Sequence, residues 1–141
     1  MSEDDALRIH VDGASRGNPG EAGFGIHAAS ADGKTVAELY GYLGTATNNV
    51  AEYQALIHAL RWAIERGSGR VEIFSDSQLL VRQLEGRYRV KNPGLQPLFR
   101  EASGLKARFE HVAIRHVPRE ENREADALAN RAVDERASRL E

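Results

Sequence analysis

Along LRIHVD, residues 7–12, Leu7, Ile9 and Val11 alternate with Arg8, His10 and Asp12, the period-two pattern of a strand with one buried face. GFGIHAAS and TVAELYGYL have the same strand character and are separated by the turn signal Ala31-Asp32-Gly33-Lys34. Three antiparallel strands in a meander are therefore expected. The period then lengthens. Tyr53, Leu56, Leu60 and Ala63, with Ile57 and Ile64 beside them, recur every three or four residues until Gly67 and Gly69 stop the pattern, which predicts an amphipathic helix. VEIFSD predicts a short strand that ends at Asp76, and SQLLVRQLEG a short helix that ends at Gly86. Asn92-Pro93 predicts a helix start, with Asn as the cap and Pro in the first turn. Leu95, Leu98, Phe99, Ala102 and Leu105 would be the apolar stripe of that helix. HVAIRHV reads as a last strand. From Asn122 onward, Ala125, Leu128, Ala129, Ala132 and Val133 mark a last helix. The order βββαβααβα predicts an α/β fold, a mixed sheet flanked by helices, in a single domain spanning residues 1–141.

Composition narrows the class. With 41% hydrophobic and 28% charged residues, the chain has the make-up of an ordinary soluble domain. No apolar run approaches the roughly 20 residues that cross a bilayer. The acidic start MSEDD is unlike a secretory signal, so a cytoplasmic location and no membrane partner are expected. The absence of cysteine excludes a disulfide framework, a zinc–thiolate site and a thiol nucleophile. A net charge of −2 does not mark a polyanion binder. Its distribution is uneven: between residues 82 and 108, Arg82, Arg87, Arg89, Lys91, Arg100, Lys106 and Arg108 face only Glu85 and Glu101. Such a surplus attracts a polyanion, although a solvated helix face accounts for it equally well.

The candidate chemistry lies in acids. Asp12 and Asp76 are each expected at the end of a strand, where the crevice of an open α/β sheet takes its ligand. If the strands are parallel neighbours, the two carboxylates meet and repel unless a cation lies between them. Either could also cap the following element. Glu52 falls four residues before Leu56, on the inward helix face where a lone carboxylate is rarely tolerated. A capping box Asn49-Val50-Ala51-Glu52 is the competing explanation. Asp126, in ENREADALAN, is explained just as simply by a helix dipole. Gathered at one end of a sheet, the four would form a hard oxygen set suited to Mg²⁺ or Mn²⁺. Two such ions clamp a phosphodiester, one activating water and the other stabilising the leaving oxygen.

VDGASRGNPGEAGFG, ATNNVAEYQAL, FSDSQLLV and HVPREENREADALA, in this order and with this internal spacing, resemble the ribonuclease H type 1 family over nearly the whole chain. The resemblance implies a five-stranded mixed sheet of the ribonuclease H-like fold. It also implies an endoribonuclease that cuts the RNA strand of an RNA/DNA hybrid with two Mg²⁺ (or Mn²⁺) ions, leaving 5′-phosphate and 3′-hydroxyl ends. By the same resemblance Asp12, Glu52, Asp76 and Asp126 are the catalytic metal ligands. His116 is the mobile-loop histidine that moves a proton or aids product release. Asn18, Asn48 and Gln78 contact the hybrid near the cut, and Thr47 and Asn92 form a pocket for a DNA-strand phosphate. Gly13, Gly17 and Gly20 permit tight turns that let a nucleic-acid backbone lie against Asp12.

Two departures from the family pattern stand out. Only fifteen residues separate Asp76 from Asn92, too few for the basic helical protrusion of many bacterial relatives; Arg87, Tyr88, Arg89 and Lys91 would supply a reduced version. Eleven residues precede Asp12, so a separate hybrid-binding domain is not expected either. Weak, salt-sensitive substrate binding follows from so few phosphate contacts. No obligate protein partner is evident, and a monomer is expected. The rival readings are a nuclease of the same superfamily acting on double-stranded RNA or another structured nucleic acid, a non-catalytic nucleic-acid-binding module, and a structural protein whose acids are all caps. An intact acidic set argues against the binding module, because anions facing phosphates weaken binding.

Overall fold

The computed structural model describes residues 6–141, so the acidic start at residues 1–5 lies outside the described residues. The element order is β1 (Leu7–Ser15), β2 (Gly20–Ala29), β3 (Thr35–Ala46), α1 (Asn48–Glu65), β4 (Arg70–Ser75), α2 (Gln78–Leu84), α3 (Gln96–Lys106), β5 (His111–His116) and α4 (Arg123–Glu135). A 3₁₀ turn at Arg119–Glu121 leads into α4. The five strands form one sheet in the order β3-β2-β1-β4-β5. β1 runs antiparallel to β2 and parallel to β4, and β4 runs parallel to β5. The meander and the crossovers expected from the hydrophobic pattern are both present.

Two layers cover the sheet. Ile9 and Val11 of β1 and Ile73 of β4 are buried with Leu56, Ile57 and Leu60 of α1 in the main core. α4 packs on the opposite face, where Leu128 and Ala132 join Tyr40 of β3 in a smaller cluster. Gly25 makes that approach possible, since a Cβ on it would collide with the α4 backbone at Ala125. Among the described residues no helix is long and apolar enough to cross a membrane.

Two local expectations need correction, and the competing explanation for Glu52 falls away. β1 does not end at Asp12 but continues to Ser15 alongside β2, with Asp12 opposite Gly25. What ends there is the pairing with β4, whose last partner is Val11↔Ser75. The capping box does not form. Thr47 is the α1 cap, its hydroxyl accepting from Val50 N at 3.2 Å, while Glu52 is turned toward β1. Nor does Asn92-Pro93 open a helix. Asn92 Oδ1 accepts from Gly94 N at 2.8 Å, closing an Asx-type turn. The helix begins four residues later, at Gln96, with Pro97 in its first turn.

Candidate active site

The site lies where β4 leaves the sheet. Past Ser75 the chain turns into α2, leaving the β4 side of β1 without a strand partner, and Asp12 and Asp76 both stand at that opening. Glu52, one turn into α1, completes the group. The Gly13 amide donates to Glu52 Oε1, tying α1 to β1. Gly13 is required for that contact, since a Cβ would run into the backbone of Ala51 and Glu52. From the other face α4 brings Asp126 into the lining of the same cavity, outside the close group formed by Asp12, Glu52 and Asp76.

One oxygen from each of Asp12, Glu52 and Asp76 falls within 4.8 Å of the others. Asp12 is 6% exposed and Glu52 8%. Burial raises the Asp12 carboxyl far above the usual carboxylate range, and the neighbouring Glu52 and Asp76 raise it further. Burial also raises Glu52, against the pull of the Gly13 N–H. Among the described residues no Lys or Arg forms an ion pair with any of the three. Carboxylates this close and this dry cannot all carry charge without a cation among them. The set is all oxygen, hard and anionic, which fits a divalent cation of the Mg²⁺, Mn²⁺ or Ca²⁺ type and not a soft metal.

The three acids and Asp126 line a cavity of about 470 Å³ together with Gly13, Asn48, Asn49, Ser77, Arg16, Arg119 and Asn130. The remaining sequence-predicted residues are placed around it. Asn18 Oδ1 accepts from Asn48 N at 3.1 Å, joining the glycine-rich loop to the start of α1. Gln78 is exposed in the first turn of α2, next to the cap Ser77. Thr47 and Asn92 are each engaged within their own turn, and no hydrogen bond joins them. His116 is exposed at the end of β5, outside the cavity lining.

No sequence pattern marks the two arginines of the cavity, Arg16 and Arg119, or the buried side chain of Asn122. Arg16 is neutralised by Asp134 at 2.6 Å, whereas Arg119 has no ion pair among the described residues. Arg119 sits in a charge-dense segment without periodicity, so no pattern marks it. Asn122 precedes a helix and reads as an ordinary cap.

A match to the family described as reverse transcriptase-like covers residues 10–132. A bifunctional protein of Mycobacterium tuberculosis is 46% identical over 89% of this chain, which spans 35% of that protein. Ribonuclease HI of Halobacterium salinarum is 47% identical over 91% of this chain and 65% of its own length. The crystal structure of RNase H1 from that archaeon superposes with a TM-score of 0.89 at 45% identity, covering 92% of this chain and 98% of the other. LC11-RNase H1, solved in complex with an RNA/DNA hybrid, gives 0.87 at 40% identity over 92% and 98%. The chain thus spans between about a third and two thirds of the length of these two curated relatives.

Proposed function

The chain belongs to the ribonuclease H family, in the group described as reverse transcriptase-like, and from that premise we propose that it hydrolyses the RNA strand of RNA/DNA hybrids with the help of Mg²⁺, for which Mn²⁺ can substitute. The observation that carries this reading is the trio Asp12, Glu52 and Asp76, two buried and one half-buried, with oxygens within 4.8 Å and no cationic side chain paired to them among the described residues. Asp126, which lines the same cavity, is the fourth ligand in this reading. Bound there, divalent cations would supply positive charge against the phosphoryl group and lower the pKa of an attacking water.

The chain's own residues do the rest. Asp12 and Glu52, held by the β1–α1 contact, would hold the cations and so orient the phosphodiester. Asn48, tied through its backbone to Asn18, places polar groups at the cavity mouth, and Gln78 stands exposed one residue past the lining residue Ser77. These three suit contacts to sugar and base edges near the cut, where a 2′-hydroxyl separates RNA from DNA. Arg119, without an ion pair among the described residues, adds a cation at the rim for a phosphate oxygen. Thr47 and Asn92 hold a phosphate of the DNA strand. Water oxygen bonds to phosphorus, the P–O3′ bond breaks and the 3′-oxygen takes a proton, giving 5′-phosphate and 3′-hydroxyl ends. His116, on the strand end beside the site, exchanges protons with solvent during turnover.

The test uses one end-labelled RNA oligonucleotide annealed to DNA, annealed to RNA, or left single-stranded, with Mg²⁺ or Mn²⁺. Cleavage confined to the hybrid is expected. Equal cleavage of duplex RNA would replace the substrate assignment, and binding without cleavage would replace the enzyme with a binding module.

A further inference from the structure

Asn122 occupies the N-cap position of α4 yet does not cap it. Asn is among the preferred cap residues because its side-chain oxygen accepts from the first-turn amides, but no such bond is made here. Instead the side chain is fully buried, at 0% exposure. Its Nδ2 donates to the carbonyl of Val11 at 2.9 Å and to Asp76 Oδ2 at 3.4 Å. Both neighbours are acceptors, so the amide can point only one way. Oδ1 is left buried without a partner among the described residues, an unfavourable state for a buried acceptor. The Asn122 carbonyl accepts from Asp126 N at 3.1 Å, starting the first turn of α4.

One residue therefore touches the strand position preceding Asp12, the carboxylate of Asp76, and the turn that carries Asp126. Helix initiation does not explain this use of the side chain, because Oδ1 would then face the first-turn amides instead of standing alone. Nor can Asn122 touch a substrate, being wholly buried. We propose that Asn122 is a positioning residue for the acidic centre: its amide holds Asp76 against the end of β1 and so sets the carboxylate spacing that receives a divalent cation. This role presupposes the cation-dependent reading of the site.

Partners that orient the ligands of a metal contribute roughly ten- to a hundred-fold in metal affinity or activity. Two variants remove the amide: Asn122→Ser, which keeps a residue favoured at an N-cap, and Asn122→Ala. Mn²⁺ binding, measured by calorimetry without nucleic acid, is expected to weaken by roughly ten- to a hundred-fold in both variants. The melting temperature of Asn122→Ser in EDTA should stay close to wild type. On a hybrid substrate kcat should fall with KM unchanged. A Mn²⁺ affinity within twofold of wild type in either folded variant would overturn the role, as would failure of both variants to fold, which would make Asn122 a structural residue only. The outcomes separate from those of the proposed function. Wild-type protein that binds Mn²⁺ but cuts no hybrid refutes the activity alone, whereas an active wild type with an Asn122→Ser variant that binds Mn²⁺ normally refutes the positioning role alone.

Discussion

The parallel strands carry charge at both ends and treat it in opposite ways. At the amino-terminal end of β4 Arg70 meets Glu110 at 2.8 Å, and farther along the strands Glu72 lies between Arg8 at 3.8 Å and Arg115 at 3.1 Å. Arg8, Arg115 and Glu110 are exposed, with water able to solvate what the pairs do not. At the carboxyl ends Asp12 and Glu52 are buried, Asp76 is half-buried, and among the described residues none is paired with a cationic side chain. The first arrangement is what a sheet does with surface charge when only solubility is at stake. The second works against folding, since each acid raises the energy of the next, and it is explained by a ligand that the acids await.

The largest way to break this contrast is to remove a central acid. Asp12→Asn should lower hybrid cleavage on the order of 10³-fold or more, read by single-turnover kinetics. Gly13→Ala should come next. Its Cβ would push α1 away from β1 and carry Glu52 with it, at a cost of about 1–3 kcal/mol of stability and about a hundredfold in rate. Chemical denaturation and the same cleavage assay check the two effects.

The pH dependence is smaller and has a definite sign. Asp12 and Glu52 have raised pKa values in the fold, whereas the same groups in the unfolded chain titrate near 4. The native protein therefore holds protons that the unfolded chain has released, and stability in EDTA falls as pH rises from about 4 through neutrality. Mg²⁺ should restore it on the alkaline side. Melting curves with and without the cation follow this directly. Smallest of all, Glu72→Ala, in the paired charges outside the acidic cavity, should cost less than about 1 kcal/mol and leave cleavage unchanged, sharpening the distinction between the paired and the unpaired charges.

Much of this was legible in the sequence because the signals were local. Alternation at Leu7, Ile9 and Val11, and the three-four spacing from Tyr53 to Ala63, give strands and a helix without reference to anything distant. The acids were found as a set through the order of four motifs, and the fold brings them into one cavity. What stayed hidden depended on contacts across the chain. Glu52 reads as half of a capping box until Gly13, 39 residues away, offers its amide. Asn122 reads as a helix cap until its side chain is seen to reach Val11, 111 residues away. His116 ends β5 and Arg119 begins the 3₁₀ turn three residues on, and only the three-dimensional path between them places the arginine in the cavity lining and leaves the histidine outside it.

The central claim is that the buried acids are held together at the expense of stability until a divalent cation joins them. Melting temperatures of wild type and Asp12→Asn at pH 8, each in EDTA and in Mg²⁺, test it most directly. Asp12→Asn is expected to melt higher than wild type in EDTA, because its amide is buried without holding a proton that the unfolded chain would release, and Mg²⁺ should raise wild type much more than the variant. A wild type that is the more stable of the two in EDTA, with Mg²⁺ shifting both equally, would contradict it.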